Sequence, residues 1–274
     1  MDQAASQPPL ADFVLISQLI ASRPNTEIVM SLDNNSSAER PSPFKRLVLR
    51  EYSDVPLSGA TLYDLVVQFG SDGQLDHTTA NGNRIVCTDT RHIPSMKRIR
   101  VGFSGKDNNI YLDKLSGISR LDIACIGASA VRFGRSDIVR GATLMASHGA
   151  KITVGAACML SRDIILYASG AHGVYNSSNG ERRGSTTIHI DDRVWLGQGA
   201  RILAGAQVGT GSVIGSYSVL AGKVPNNCAA AGNPCRVTSR DIFWTKESVT
   251  GNYFVHRQQS GNLVPEFANM TEIN

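Results

Sequence analysis

The chain has 274 residues, of which 42% are hydrophobic, 18% are charged and 6% are aromatic. This composition is typical of a soluble globular protein with one large domain or two modest ones. The formal net charge of +4 is mild and the Lys and Arg residues are spread along the chain, so the sequence does not indicate a nucleic-acid partner. The five cysteines are odd in number and show no CxxC spacing, which favours reduced thiols in a cytoplasm.

No targeting or anchoring segment is visible. The longest early apolar run, Phe13 to Ala21, has no basic flank and is too short to span a bilayer. We therefore expect a cytoplasmic protein with no membrane span.

Residues 1–105 show only weak patterns. Ala11–Ala21 fits a short helix, Arg46–Arg50 and Arg84–Cys87 fit strands, and Leu62–Phe69 fits either. We expect an N-terminal accessory region of unknown role, which packs on the following domain or extends it.

A period of six residues organises the stretch from residue 188 to residue 225. This period fits neither an α-helix nor an alternating strand, so it predicts a parallel β-helix of short strands joined by tight turns. The aliphatic residue of each repeat points inward, the small or β-branched residue four places later fits near a corner, and glycine relieves the bend. The aliphatic positions are Ile190, Leu196, Ile202, Val208, Ile214 and Leu220; the small positions are Val194, Ala200, Ala206, Ser212, Ser218 and Val224; the glycines are Gly197, Gly209 and Gly215.

The predicted β-helix covers residues 106–238 and is interrupted once. Residues 167–187 are rich in Gly, Ser and Asn and have no aliphatic period, so they predict a loop that leaves one face of the solenoid. Residues 239–274 follow the last coil, and the sequence DIFWTKE within them predicts a short C-terminal helical cap. The phase of the repeat also places Leu196 inside, so that Trp195 points outward.

Several motifs together resemble the hexapeptide-repeat acyltransferases, and among them the O-acetyltransferases of sugars and bacterial polysaccharides. They are the hexapeptide run, the loop with His172, VWLG at Val194–Gly197, AGNPCRV at Ala231–Val237 and RDIFW at Arg240–Trp244. The resemblance covers about Lys106 to Glu247 and is absent from the first hundred residues.

The resemblance implies a homotrimer of left-handed β-helices that binds acetyl-CoA in the groove between neighbouring subunits and needs no metal. His172 matches the general base of the family, which takes the proton of a sugar hydroxyl as that hydroxyl attacks the thioester. Relatives often carry an Asp two residues earlier, where this chain has Gly170 followed by Ala171. A backbone carbonyl is an alternative partner for the second ring nitrogen.

The family also implies residues around the cosubstrate and the acceptor. Trp195 matches a tryptophan that lines both sites, although simple packing between subunits is an alternative interpretation. Tyr175 and Asn176 share the loop with His172 and are candidates for binding the acceptor. The positions matching coenzyme A contacts are Gln198, Ser216, Ala221, Lys223 and Arg236. Lys223 lies one place after the usual lysine, because Gly222 occupies that position.

Three other functions stay open on the sequence alone. An N-acetyltransferase of an amino sugar or nucleotide-sugar would use the same base and cosubstrate. A metal site like that of the γ-carbonic anhydrases would need three converging histidines, for which His148, His172 and His189 are available. A non-catalytic scaffold is the third alternative.

Overall fold

A computed structural model describes residues 47–52, 62–66, 75–89, 98–113, 120–169, 172–183 and 186–246. The helix predicted at Ala11–Ala21 lies outside this part of the chain. Every regular element within it is a β-strand, and it contains no helix with the length and apolarity needed to cross a membrane.

The strands form two large sheets and one hairpin. The larger sheet contains β1 (Leu47–Tyr52), β2 (Leu62–Val66), β5 (Arg98–Ser104), β7 (Arg120–Ile126), β9 (Asp137–Ser147), β11 (Met159–Tyr167), β15 (Trp195–Leu196), β16 (Arg201–Leu203), β18 (Val213–Ile214), β19 (Val219–Leu220), β21 (Ala229–Gly232) and β22 (Cys235–Ser239). The smaller sheet contains β3 (Leu75–Thr78), β4 (Arg84–Cys87), β6 (Asn109–Leu112), β8 (Ala130–Phe133), β10 (Lys151–Val154), β14 (Thr187–Ile190), β17 (Gln207–Val208) and β20 (Lys223–Val224). The hairpin pairs β12 (Val174–Tyr175) with β13 (Arg182–Arg183).

The larger sheet bends over two sides of the solenoid, so each regular coil has three faces. The start of β11 pairs in parallel with β15, whereas its end pairs with β16. We call the side with β15, β18 and β21 the first face and the side with β16 and β19 the second face. The smaller sheet forms the third face. Nearly all pairings along the coils are parallel, as a β-helix requires.

The six-residue period correctly predicts the core. All of the aliphatic and small positions named above are at most 3% exposed. Stacking equivalent aliphatic side chains from coil to coil removes a continuous apolar column from water, and this burial is the main favourable contribution to folding.

Glycine is needed where successive coils approach each other at the corners. A Cβ atom on Gly197 would lie 2.7 Å from the Ser216 nitrogen, and one on Gly209 would lie 2.4 Å from the Asn226 nitrogen. Both contacts are with backbone of the next coil, which has no flexible side chain to move aside. The glycines of the repeat therefore allow the coils to pack at the spacing of paired strands.

The two sheets continue on the N-terminal side of residue 105. β4 pairs in parallel with β6, and β5 pairs in parallel with β7 and with β1. The strand predicted at Arg84–Cys87 is confirmed, and strands also occupy the described parts of the two earlier segments, at Leu47–Tyr52 and Leu62–Val66. The division of the chain into domains stays a prediction.

The predicted C-terminal helix is wrong for residues 240–246, which we call the strap; the rest of the predicted cap lies outside the described residues. The strap is not helical and runs back along several coils. The Ile242 nitrogen donates to the Asn227 carbonyl oxygen at 2.9 Å, and Lys246 pairs with Asp137. Bonds to coils this far apart need an extended backbone, because a helix of seven residues spans only about 10 Å.

Candidate active site

The interruption in the repeat is a loop at one corner of the solenoid. It leaves after β11 on the second face and returns at β14 on the third, as predicted for residues 167–187. Inside it, β12 and β13 pair as a short antiparallel hairpin, with Val174 opposite Arg183 and Tyr175 opposite Arg182. We call this corner, between the second and third faces, the loop corner.

His172 lies immediately before the hairpin and is exposed to solvent. The ring of Tyr175 packs over Gly173, since a Cβ atom on this glycine would lie 2.4 Å from the Tyr175 hydroxyl oxygen. Tyr175 itself is 54% exposed. The structure thus brings the phenol of Tyr175 beside the backbone that carries His172, whereas Gly170 and Ala171 lie outside the described residues.

Asn176 holds the tip of the hairpin in place. Its side-chain oxygen accepts hydrogen bonds from the nitrogen of Ser178 at 3.1 Å and from the hydroxyl of Ser178 at 2.9 Å. Its backbone nitrogen donates to the Glu181 carbonyl oxygen at 2.8 Å. This is the local turn chemistry for which asparagine is favoured, so the side-chain oxygen of Asn176 has a structural partner already.

Two of the predicted coenzyme A residues lie along the loop corner. Ala221 and Gly222 connect β19 to β20, and Lys223 begins β20. All three are exposed, and a Cβ atom on Gly222 would meet nothing within 4 Å. This edge of the solenoid therefore presents two small exposed residues beside the cationic side chain of Lys223.

The other predicted coenzyme A residues lie at a different corner, between the first and second faces, which we call the far corner. Gln198 and Ser216 follow β15 and β18 there, and the Gln198 amide nitrogen donates to the Tyr217 hydroxyl at 2.9 Å. Arg236 lies opposite Ala231 in the final strand pair and is exposed. Sequence reasoning missed Tyr217, which is 68% exposed at this corner.

Trp195 points outward from the first face, as the repeat phase predicts, but it is half-buried by its own chain. Its indole nitrogen donates to the Ser161 hydroxyl at 3.0 Å, and its ring lies 5.9 Å from the ring of Trp244 in the strap. These partners were also missed, although Trp244 belongs to the RDIFW motif. The single chain does not place Trp195 at the loop corner.

The cysteines are not placed to act as nucleophiles. All five are buried free thiols, and burial raises the pKa of Cys87 and of Cys158 to about 11. A thiol that stays protonated and shielded from solvent is unreactive.

Among the described residues of the chain, no three His, Cys, Asp or Glu side chains converge as candidate metal ligands. The exposed His189 ring instead lies 2.7 Å from Asp191.

Comparisons with known proteins link this architecture to acetyltransferases. No protein-family profile matches the chain. It is 33% identical over 126 residues to the polysialic acid O-acetyltransferase of Escherichia coli O1:K1, covering 46% of this chain and 41% of that protein. It is 33% identical over 129 residues to a putative acetyltransferase of Saccharomyces cerevisiae, covering 43% and 62%. The chain thus spans about half the length of the curated relatives it matches.

A solved structure decides the family. The crystal structure of the polySia-specific acetyltransferase NeuO is 30% identical and matches with a TM-score of 0.53, over 65% of this chain and 78% of that one. The chain belongs to the hexapeptide-repeat acetyltransferase family. The polysialic acid O-acetyltransferase OatWY, at 22% identity and a TM-score of 0.51 over 62% of this chain and 80% of that one, shows the same fold. As a member of this family the chain is a left-handed parallel β-helix, which confirms the predicted β-helix, though not its helical cap.

Proposed function

We propose that this protein transfers an acetyl group from acetyl-CoA to a hydroxyl group of a sugar in a bacterial polysaccharide, capsule or glycoconjugate. The observation that carries the proposal is the exposed His172 at the base of a hairpin on the loop corner, in a chain of this family. The names of two similar proteins, which refer to polysialic acid, support a glycan acceptor.

His172 has the chemistry that this transfer needs. A sugar hydroxyl is a weak nucleophile at neutral pH, so a base must remove its proton as it attacks the thioester carbonyl. Imidazole is the side chain whose ordinary pKa lies nearest neutral pH, and an exposed ring on a projecting loop is accessible to a large acceptor. Tyr175, whose hydroxyl lies beside Gly173, is the nearest candidate in the loop for contacting that acceptor.

Two corners of the solenoid carry residues that suit the binding of acetyl-CoA. The loop corner offers the small exposed residues Ala221 and Gly222 beside Lys223, which suits a narrow pantetheine arm and its phosphates. The far corner adds Gln198, Ser216 and the guanidinium of Arg236. Because the second face separates these corners within one chain, a single coenzyme A would contact both sets where two chains meet. The proposal therefore includes a homotrimer whose grooves join the loop corner of one subunit to the far corner of the next.

The reaction we propose is a direct transfer. The acceptor oxygen bonds to the thioester carbonyl carbon while His172 takes the hydroxyl proton, giving a tetrahedral oxyanion. When the carbon–sulfur bond breaks, the CoA thiolate leaves and receives that proton. No acyl-enzyme is required, and the buried cysteines with raised pKa support a pathway without one.

The proposal is tested by incubating the pure protein with acetyl-CoA carrying a labelled acetyl group and a panel of acidic and neutral glycans. We expect label on a glycan, released by mild alkali as an ester should be. Alkali-stable label would instead identify an N-acetyltransferase. Hydrolysis or binding of acetyl-CoA with no transfer to any glycan would contradict a sugar acceptor.

A further inference from the structure

The outer surface of the third face contains a groove that the proposed chemistry does not use. It has a volume of about 280 Å³ and crosses four parallel strands, β4, β6, β8 and β10. The side chains that point into it alternate with the buried core residues Ile85, Ile110, Val131 and Ile152. It is therefore a property of the regular sheet and not of an irregular loop.

The groove is cationic. Arg84, Arg132 and Lys151 line it, and within the described part of the chain its lining includes no carboxylate. Arg84 donates two hydrogen bonds to Asp76 at 2.9 and 2.7 Å, so its charge is matched locally. Arg132 and Lys151 are both exposed on neighbouring strands. Two cations without a carboxylate between them attract an anion more strongly than a cation that is paired with a carboxylate does.

Tyr111 gives the same groove a flat apolar surface. It lies opposite Arg132 in the parallel register and is 36% exposed. The Arg132 guanidinium carbon lies over the Tyr111 ring, 5.1 Å from its centre, so the two side chains form a cation–π pair. Asn109 and Thr153 add polar side chains that can exchange hydrogen bonds with hydroxyl groups.

The groove borders the point where the loop that carries His172 returns to the solenoid. Lys151 lies opposite Thr187 in the register, and its backbone nitrogen donates to the Thr186 carbonyl oxygen at 2.8 Å, where the loop returns to the solenoid. The groove runs from β10 to β4, which is three strand spacings and amounts to about 14 Å. This length suits several linked sugar units better than one small molecule.

We propose that this groove binds an anionic polysaccharide segment and so holds the acceptor chain while one of its units reaches His172. The carboxylates of the polymer pair with Arg132 and Lys151, and a sugar ring packs on the part of the Tyr111 ring that Arg132 leaves exposed. An arginine fork binds a carboxylate through two parallel hydrogen bonds, and a lysine acts as a point charge. The inference rests on the proposed function for the identity of the acceptor, but the binding itself is independent of the chemistry at His172.

The test is direct binding of polysialic acid, measured by isothermal titration calorimetry at low and at physiological salt. We expect saturable binding that weakens as salt rises, because the contacts are solvent-exposed charge pairs. The double variant Arg132→Gln/Lys151→Gln should bind about tenfold more weakly or worse. Tyr111→Ala should also weaken binding, because it removes the aromatic surface and the ring partner of Arg132. The matched control is Lys106→Gln/Arg135→Gln, which removes two exposed cations outside the groove and should bind as wild type does.

The outcomes separate this inference from the proposed function. If acetyl transfer fails while the groove variants lose polymer binding, the result supports the proposed polymer site and contradicts the proposed acetyl transfer. Equal loss in the control variant would overturn the groove, because it would show attraction to net charge alone. Equally tight binding of single-stranded DNA would also overturn it, since the groove would then recognise polyanion charge and not a glycan. Polymer binding unchanged in the Arg132→Gln/Lys151→Gln variant would overturn it outright.

Discussion

The indole rings of Trp195 and Trp244 lie with centroids 5.9 Å apart and planes inclined at 45°. Each ring also donates a hydrogen bond, Trp195 to the Ser161 hydroxyl and Trp244 to the Arg193 carbonyl oxygen at 2.7 Å. The pair fastens the strap to the first face of the solenoid. Trp195 was expected on family grounds to line the cosubstrate site, but within one chain its neighbours give it a packing role.

Replacing Trp244 should therefore loosen the strap. Trp244→Ala removes an aromatic pair and a hydrogen bond, so the free energy of unfolding should fall by about 1–3 kcal/mol. Trp244→Phe keeps an aromatic partner for Trp195 and loses only the indole N–H, which should cost about 1 kcal/mol. Urea unfolding followed by circular dichroism measures both changes. Equal stability of Trp244→Ala and wild type would show that the strap does not stabilise the solenoid.

The corner glycines should differ sharply in their tolerance of a methyl group. Gly209→Ala places a Cβ atom 2.4 Å from the Asn226 nitrogen, so the coils must separate, at a cost of about 1–3 kcal/mol. Gly222→Ala is the matched control, because its Cβ atom would meet nothing within 4 Å. Its melting temperature should stay close to that of wild type. Similar melting temperatures for the two variants would contradict close packing of the coils at the Gly209 corner.

The sequence predicted the core well because the solenoid repeats its environment. Leu196 and Ile214 occupy equivalent places in successive coils and are 0% exposed, so their spacing alone reports their burial. The loop was equally visible, since it interrupts that spacing between Tyr167 and Thr187. The earlier coils were harder to predict: β4 and β5 belong to the same sheets, but uneven connections between strands hide the period.

The surroundings of the candidate site could not be predicted, because they depend on contacts without a fixed spacing. The residues around Trp244 show no sequence pattern that predicts an extended strap returning to Trp195. The six-residue period also does not predict the corner at which a given residue lies. Only the strand register shows that the second face separates Ser216 from Ala221. The groove with Tyr111 and Arg132 was missed for the same reason, since these residues meet across two strands.

Removing the imidazole should abolish most of the transfer. We expect His172→Ala to lower kcat on the order of a hundredfold or more while the affinity for acetyl-CoA is retained, because general base catalysis contributes a factor of about this size. Ser177→Ala is a control in the same hairpin, exposed and outside the proposed machinery. The assay follows the free CoA thiol released in the presence of an active acceptor. A His172→Ala enzyme with wild-type kcat would remove this residue from the mechanism.

The buried thiols should make the fold sensitive to alkali. Burial raises the pKa of Cys87 and Cys158 from 9.0 to about 11, so between these values the unfolded chain loses protons that the folded chain keeps. The stability from the neutral thiols is thus fully present below pH 9 and is lost as the pH rises towards 11. Chemical unfolding at a series of pH values should show this decline, and the Cys87→Ala/Cys158→Ala variant should show a shallower slope. An identical slope in the two proteins would contradict the assignment.

The measurement that tests the central claim most directly is a thermal-shift titration of the pure protein with acetyl-CoA and with free CoA. A ligand that binds only the folded state raises the melting temperature by mass action, so the account predicts a saturable rise with both ligands. Lys223→Gln and Arg236→Gln should each reduce that rise, because both cations are assigned to the phosphates. No shift with either ligand at millimolar concentration would contradict an acetyl-CoA-dependent transferase.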